Sequence, residues 1–154
     1  MKLIIASTLL LSCMTILACP NLDGLYFCQT SMGEVSQLEL QHEVSNGVTS
    51  YIFKDMNEIE GRWIVDGKLR SLNSSPMDGV SNLKYRAKCI NEELSLYMTG
   101  DLPDFNDKIK MNVSLYLDSS KNLVQKTSGQ FSDGTPLPEV LTVCHRGSFA
   151  KRKK

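Results

Sequence analysis

The side chains that could act as nucleophiles or acid–base catalysts are few in this chain. The two histidines, His42 and His145, stand far apart, and nothing in their spacing ties either one to a thiol. The sequence contains no Gly-x-Ser-x-Gly motif, no His-Glu-x-x-His motif and no phosphate-binding loop. These observations predict a protein that is not an enzyme and that needs no cofactor.

Carboxylates cluster at two places, Glu92-Glu93 and the group Asp101, Asp104 and Asp107. A pair of carboxylates hydrolyses glycosides only at a defined separation across a cleft, which a sequence does not specify. The aspartate group lacks the Gly and Glu positions of an EF-hand calcium loop. We therefore interpret both groups as solvated loop charges and predict no metal site.

The cysteines indicate a disulfide framework. One of the five, Cys13, lies in an apolar N-terminal stretch, and removal of that stretch leaves Cys19, Cys28, Cys89 and Cys144. An even number of cysteines in an exported chain predicts two disulfides. Their separations of 9, 61 and 55 residues contain no Cys-x-x-Cys zinc knuckle.

Residues 1–18 have the pattern of an export signal. Lys2 is followed by an almost uncharged stretch, Leu3–Ala18, which ends in a small residue and is short for a membrane span of about 20 apolar residues. We predict a cleaved signal peptide over 1–18, a secreted or periplasmic product and no transmembrane span after cleavage. The alternative is lipidation of Cys19 in a bacterial lipoprotein box, although Leu17 fits that box poorly.

The length and charge of the chain indicate one globular domain with a charged tail. The chain has 154 residues with 17 basic and 17 acidic side chains, and 42% of its residues are hydrophobic. This balance excludes a collagen-like or highly charged disordered chain. We predict one domain over 19–147 and a basic, disordered C-terminal tail over 148–154. The four basic residues of this tail, 151–154, would make only weak, salt-sensitive contacts with anionic polymers, so we expect no nucleic-acid partner.

Apolar and polar residues alternate along most of the chain, which is the period of a β-strand. The clearest run places Leu83, Tyr85, Ala87 and Cys89 on one face and basic residues on the other. Helix signals are nearly absent. Ten segments are candidates, of which we expect eight or nine to form strands: 24–30, 36–44, 48–54, 62–65, 68–71, 82–90, 93–99, 108–117, 122–129 and 139–146.

Three dipeptides predict tight hairpin turns: Asn46-Gly47, Asp66-Gly67 and Asn91-Glu92. Local turns of this kind favour an antiparallel meander, and closure into a barrel would protect its edges. We therefore predict an all-β barrel of eight or nine strands, with a β-sandwich as the alternative. Counting outward from the turns predicts these cross-strand pairs: His42 with Tyr51, Leu40 with Phe53, Ala87 with Leu96, Tyr85 with Met98, Ile64 with Leu69, and Trp63 with Arg70 as a cation on a ring.

The cysteine pairing has two leading alternatives. A tight turn at Asp23-Gly24 would place Cys19 opposite Cys28 and leave Cys89 to pair with Cys144. The rival pairing joins Cys28 to Cys144, because the first and last strands meet when a barrel closes. We favour the first pairing, although Pro20 would sit at a hydrogen-bonded position without an N–H.

The segment Cys19–Cys28 resembles the opening of a group of small, uncharacterised bacterial secreted proteins, which begin with Cys-Pro-x-Leu-x-Gly-x-Tyr-x-Cys. That resemblance extends over most of 19–147 but implies no activity. Gly24-Leu25-Tyr26 is loosely similar to the Gly-x-Trp element of lipocalin-like barrels, with Tyr in place of Trp. It implies a barrel closed at one end by that ring and enclosing a small apolar ligand. Tyr26-Phe27-Cys28 and Ser128-Gly129 also match part of the pattern of periplasmic lysozyme inhibitors.

We therefore expect a monomeric, non-enzymatic, lipocalin-like protein that binds a small apolar ligand or lipid. His42 would be either a polar anchor in the cavity or, as we favour, a histidine satisfied by a neighbouring hydroxyl or by water. The alternative is a protein-binding module, such as an inhibitor of a cell-wall hydrolase or protease, acting through loops 71–82, 101–107 and 131–138. The predicted cavity lining is Leu38, Leu40, His42, Tyr51, Phe53, Tyr85, Leu96, Met111 and Leu115.

Overall fold

The protein is built almost entirely of β-strands. The computed structural model describes residues 19–31, 33–55, 60–72 and 79–147, so the predicted signal peptide and basic tail lie outside the described residues. The predicted all-β class is confirmed, and all ten candidate segments form strands. They are β1 (Gly24–Thr30), β2 (Val35–Ser45), β3 (Val48–Asp55), β4 (Glu60–Val65), β5 (Arg70–Ser71), β6 (Ser81–Ile90), β7 (Glu93–Leu102), β8 (Asp107–Leu117), β9 (Leu123–Phe131) and β10 (Pro136–Arg146), with a 3₁₀ turn at Pro103–Phe105.

The ten strands form one antiparallel sheet in the order β4-β3-β2-β1-β10-β9-β8-β7-β6-β5. With the exception of β4 and β5, strands that are consecutive in sequence pair with each other, and β1 also pairs with β10, so the sheet curls back on itself. The ladder is interrupted between β4 and β5, and that interruption distinguishes the fold from a fully hydrogen-bonded barrel. Across it, the Ile64 N–H donates to the Tyr85 hydroxyl at 3.0 Å.

Two of the predicted hairpins form with the expected register. His42 lies opposite Tyr51 around the Asn46-Gly47 turn. Around the Asn91-Glu92 turn, Ala87 lies opposite Leu96 and Tyr85 lies opposite Met98. Asn46 and Gly47 have φ values of 51° and 76°, which is the left-handed geometry that a type I′ turn requires. A strong local turn signal was therefore sufficient at these positions.

The predicted hairpin at Asp66-Gly67 is wrong. β4 and β5 lie at opposite ends of the strand order, so Ile64 does not pair with Leu69. The Asp66 carboxylate instead accepts from the Lys68 N–H and from the Arg70 guanidinium, and Arg70 pairs with Tyr85 on β6. Trp63 stacks on Phe53, not on Arg70, because the chain after Asp66 turns toward β6.

The hydrophobic core lies inside the curl of the sheet. Buried and exposed side chains alternate along the strands. In β6, Leu83, Tyr85 and Ala87 are buried, and the basic residues between them are exposed. Side chains from β1, β3, β7, β8 and β10 contribute to the same cluster. One face of every long strand therefore packs into a single shared interior.

The favoured cysteine pairing is also wrong. The disulfides join Cys19 to Cys89 and Cys28 to Cys144, and the second is the rival pairing, in which the first and last strands meet. Residues 19–23 do not fold back on β1 as a hairpin, because they cross the end of the sheet. Leu22, in that segment, is fully buried. The burial of this side chain accounts for a segment that crosses the end of the sheet and does not form a hairpin with β1.

Candidate functional site

The two ends of the curled sheet are built differently. At one end, residues 19–23 cross the interior, and we call this the sealed end. The Tyr51 hydroxyl donates to the Pro20 carbonyl at 2.5 Å, and the Asp23 carboxylate accepts from the His42 N–H. The Arg146 guanidinium donates to the Asp23 carbonyl at 2.6 Å. The sealed end is therefore closed by backbone and held by three strands.

Two buried tyrosines complete the sealed end. The Tyr26 hydroxyl donates to the Leu22 carbonyl at 3.0 Å, and Tyr26 is 1% exposed. Burial raises the pKa of Tyr26, an effect that the positive charge of Arg146 partly offsets. Burial, reinforced by the nearby Asp23 carboxylate, raises the pKa of Tyr51 further. Both phenols therefore remain protonated donors at neutral pH.

The opposite end, which we call the open end, gives access to a cavity of about 380 Å³. Its mouth includes Ser36, which is exposed to solvent. The described residues that line the cavity come from eight strands: Cys28, Thr30, Ser36, Gln37, Leu38, Phe53, Asp55, Trp63, Leu96, Met98, Met111, Val113, Gln125, Thr127 and Thr142.

The wall of the cavity is mostly apolar. Phe53 and Trp63 stack with ring centroids 4.4 Å apart and form an aromatic panel. The panel depends on Gly61, which lies opposite Phe53 in the β3–β4 pair, because a Cβ at Gly61 would fall 2.2 Å from the Phe53 ring. Leu96 and Met111 contribute aliphatic surface from β7 and β8. Such a wall favours an apolar ligand over a sugar or a peptide backbone.

A few polar groups are set into this wall. Thr30 and Thr142 are opposite one another in the β1–β10 pair. The Gln125 amide donates to the Thr127 hydroxyl at 3.3 Å. Asp55, at the end of β3, is the one ionisable side chain among the described residues that line the cavity. This combination of a large apolar area with a few polar groups is typical of small-molecule sites.

Four of the nine predicted lining residues are on the cavity wall: Leu38, Phe53, Leu96 and Met111. The others pack elsewhere in the interior. Leu40, Tyr51 and Leu115 are at most 1% exposed, within the core toward the sealed end. The structure thus separates the predicted set into a cavity half and a packed half, and ligand binding by the cavity half stays a prediction.

His42 and Tyr85 have structural positions outside the cavity lining. His42 stacks on Tyr51 at the sealed end, with ring centroids 5.1 Å apart. Its Nε2 is buried without a hydrogen-bond partner among the described residues. The interpretation of His42 as satisfied by a neighbouring hydroxyl or by water stays a prediction. Tyr85 bridges the interrupted ladder through its hydroxyl.

Sequence reasoning missed several lining residues. For Trp63, counting outward from Asp66-Gly67 predicts a stack with Arg70, whereas the ring stacks on Phe53 in the cavity wall. Val113 had the required signal, because it alternates in phase with Met111 and Leu115 on β8. Asp55 had none, since a carboxylate at a strand end is ordinarily solvated.

The connections at the open end include the three predicted binding loops. An antiparallel meander places every second connection at the same end, so parts of 71–82, 101–107 and 131–138 gather around the mouth. Phe105, on the 3₁₀ turn, is 76% exposed. Hydrogen bonds from the Ser132 hydroxyl and the Lys108 N–H lower the pKa of Asp107, which keeps that carboxylate ionised. Residues 73–78 lie outside the described residues.

Within the described ranges, no three histidine, cysteine or acidic side chains converge in a way that could hold a metal ion. The same ranges contain no helix long and apolar enough to cross a membrane. No protein-family model matches this sequence, and no curated protein matches it either.

Proposed function

We propose that this protein is a secreted or periplasmic, non-enzymatic binding protein that holds a small apolar ligand inside its curled sheet. The observation that carries the proposal is the cavity of about 380 Å³, which is open at one end and sealed by residues 19–23 at the other. Its size lies within the range of small-molecule sites, roughly 300–1,000 Å³. The two disulfides fit an oxidising compartment.

The single tryptophan makes binding directly measurable. Trp63 is the only tryptophan of the chain and lies in the cavity wall. The uncharged probe 1-aminonaphthalene, which is small enough for this cavity, should therefore quench Trp63 fluorescence as it binds and fluoresce by energy transfer. We expect saturable binding with one probe per protein.

A variant that fills the cavity tests where the probe binds. Val113→Phe adds volume to the wall and should abolish or strongly weaken binding. Asn112→Phe adds a larger side chain to the exposed outer face of the same strand and serves as the matched control. Equal probe binding by both variants, or no binding by the unaltered protein, would contradict the proposal.

A second candidate function is protein binding at the open end, for example inhibition of a cell-wall hydrolase. The observation that favours it is Phe105, which presents 76% of its surface to solvent among the gathered loops. Exposed aromatics are enriched at protein interfaces. Purified protein should then inhibit a secreted lysozyme or protease, and Phe105→Asp should remove inhibition while probe binding is retained.

A further inference from the structure

The open end has a strongly negative rim. We define the rim as the described residues of the connections between β1 and β2, β3 and β4, β7 and β8, and β9 and β10, with the strand residues beside them. Two basic residues are present, Lys54 and Lys108, and Lys108 pairs with Asp101 at 3.9 Å. The acidic residues of the rim number seven: Glu34, Asp55, Glu60, Asp101, Asp104, Asp107 and Asp133.

The charge of the rim continues into the cavity through one residue. Asp55 is two residues after Phe53 on β3, so both side chains lie on the inner face of that strand. Asp55 is half-buried, and none of the described lining residues carries a positive charge. A concave site with a low-dielectric wall concentrates the field of such charges, which attracts cations and repels anions.

The aromatic panel of Phe53 and Trp63 is a second feature of the cavity that favours a positively charged ligand. Trp63 is 7% exposed and stacks on Phe53 in the cavity wall. The faces of tryptophan and phenylalanine rings attract organic cations. A positively charged group that enters the mouth would therefore meet a carboxylate and two aromatic rings.

We infer that the ligand is an amphiphilic organic cation, with its ammonium group at Asp55 and its apolar body against Leu96 and Met111. This inference rests on the proposed function and specifies the ligand class of the same cavity. At roughly 30 Å³ per heavy atom, the volume of a water molecule, the cavity accommodates a body of about ten carbon atoms. A fatty acid of the same length would bring its carboxylate to the negative rim.

Three probes with the same decyl chain separate the contributions of charge and apolar surface. Decylamine, 1-decanol and decanoate are titrated at pH 7 and followed by Trp63 fluorescence and calorimetry. Decylamine should bind about tenfold more tightly than 1-decanol, since a hydrogen bond to a charged group contributes more than a neutral one. Decanoate should bind more weakly than 1-decanol. The preference for the amine should shrink in 0.5 M salt, because salt screens the rim.

Substitution of Asp55 tests the position of the ammonium group. Asp55→Asn keeps the shape of the side chain and should lower decylamine affinity about tenfold, with 1-decanol affinity unchanged. Glu39→Gln, which removes one negative charge from the outer face of β2, is the matched control and should leave all three affinities unchanged.

The outcomes distinguish the inference from the proposed function. If none of the three probes binds the unaltered protein, the proposed function fails. If 1-decanol binds and decylamine binds no better, the cation inference fails and the proposed function stands. The same holds if Asp55→Asn and the unaltered protein show the same ratio of amine to alcohol affinity. Should Asp55→Asn fail to fold, the probe ranking and its salt dependence decide the sign of the ligand charge.

Discussion

Single side chains hold the sealed end in place. The Tyr51 hydroxyl binds the Pro20 carbonyl, and the Tyr26 hydroxyl binds the Leu22 carbonyl. Both rings are buried, so each hydroxyl satisfies a carbonyl that water reaches poorly. The N-terminal segment contains no strand pairing of its own in residues 19–23, and these contacts therefore take the place of a ladder.

Removal of one hydroxyl should measure this effect. Tyr51→Phe keeps the ring and leaves the Pro20 carbonyl without its donor, which should lower the free energy of unfolding by about 1–2 kcal/mol. Urea unfolding followed by Trp63 fluorescence gives the value. Tyr97→Phe, on the outer side of β7, is the control, and a loss of equal size there would contradict the role of Tyr51.

The same two phenols predict the alkaline limit of stability. Their pKa values are raised above the ordinary tyrosine value of 10.0, so the folded protein retains their protons where the unfolded chain releases them. The contribution of these two tyrosines to the free energy of unfolding is therefore fully present below pH 10. It should fall as the pH rises above 10, by up to about 1.4 kcal/mol per pH unit for each tyrosine. The free energy of unfolding, measured in urea from pH 8 to 11.5, checks this. A Tyr26→Phe, Tyr51→Phe double variant should show a smaller slope.

At the residue scale, the sequence predicted which side chains face inward better than it predicted what they do. Leu40 and Leu96 alternate in the same way, yet one packs in the core and the other lines the cavity. The strand period specifies the face and not the depth along the interior. Depth depends on where residues 19–23 cross, and no local pattern encodes that crossing.

The two disulfides have different structural roles at the level of elements. Cys28–Cys144 joins β1 to β10 in the interior, where its two residues are 4% and 0% exposed. Cys19–Cys89 joins the N-terminal segment to the end of β6, and both of its residues are partly exposed. The first disulfide lies beneath the continuous hydrogen-bond ladder of β1 and β10, whereas the second lies at the edge of the sealed end.

This difference predicts the order of reduction. Under limiting dithiothreitol without denaturant, Cys19–Cys89 should open first, because a thiolate can reach it. Alkylation followed by peptide mass spectrometry identifies the modified cysteines. A Cys19→Ser, Cys89→Ser variant removes the closure of a 70-residue segment and should lose roughly 4 kcal/mol of stability by the chain-entropy model. Earlier alkylation of Cys28 and Cys144 would show that burial does not govern access here.

Gly61 and Phe53 form one unit across the β3–β4 pair. Gly61→Ala should displace the Phe53 ring, since the new Cβ would lie 2.2 Å from it, and should cost about 1–3 kcal/mol. It should also weaken probe binding, because the displaced ring enters the cavity. Adding Phe53→Leu relieves the clash, so the double variant should lose less stability than the two single losses combined. Additive losses would contradict the coupling.

Turn chemistry predicted elements well wherever the turn joined strands that remain neighbours. Asn46-Gly47 and Asn91-Glu92 specified both their hairpins and their registers. Asp66-Gly67 is an equally good hairpin signal, but there the sheet must curl and the chain passes from β4 toward β6. Gly67 accordingly donates its N–H to the Ala87 carbonyl on β6 at 3.0 Å. A dipeptide contains no information about that tertiary choice.

At the scale of the whole molecule, the interrupted ladder leaves β4 and β5 each with one hydrogen-bonded neighbour strand. Its two sides are connected where the Tyr85 hydroxyl accepts from the Ile64 N–H. Tyr85→Phe should therefore accelerate hydrogen exchange of the Ile64 amide by NMR. The Met111 amide, in the centre of the sheet, is the internal reference. Faster exchange at both amides would indicate global destabilisation and would contradict a local role for the hydroxyl.

The curled antiparallel architecture was predictable because each hairpin is local and the amphipathic faces agree. The interruption and the cavity were not, since both depend on how ten strands share one interior. The size of that space reflects the sum of side-chain volumes against the curvature of the sheet. No single segment of sequence carries that sum.

The pairing of β1 with β10 has a consequence for how the chain is made. β1 acquires its second neighbour only after residues 136–146 have been synthesised, so the pairing of the first strand with the last can form only late in translation or after it. A product truncated before Pro136 would expose bare strand edges on both β1 and β9, and such edges recruit other chains. We expect incomplete chains to aggregate, whereas full-length chains fold once released.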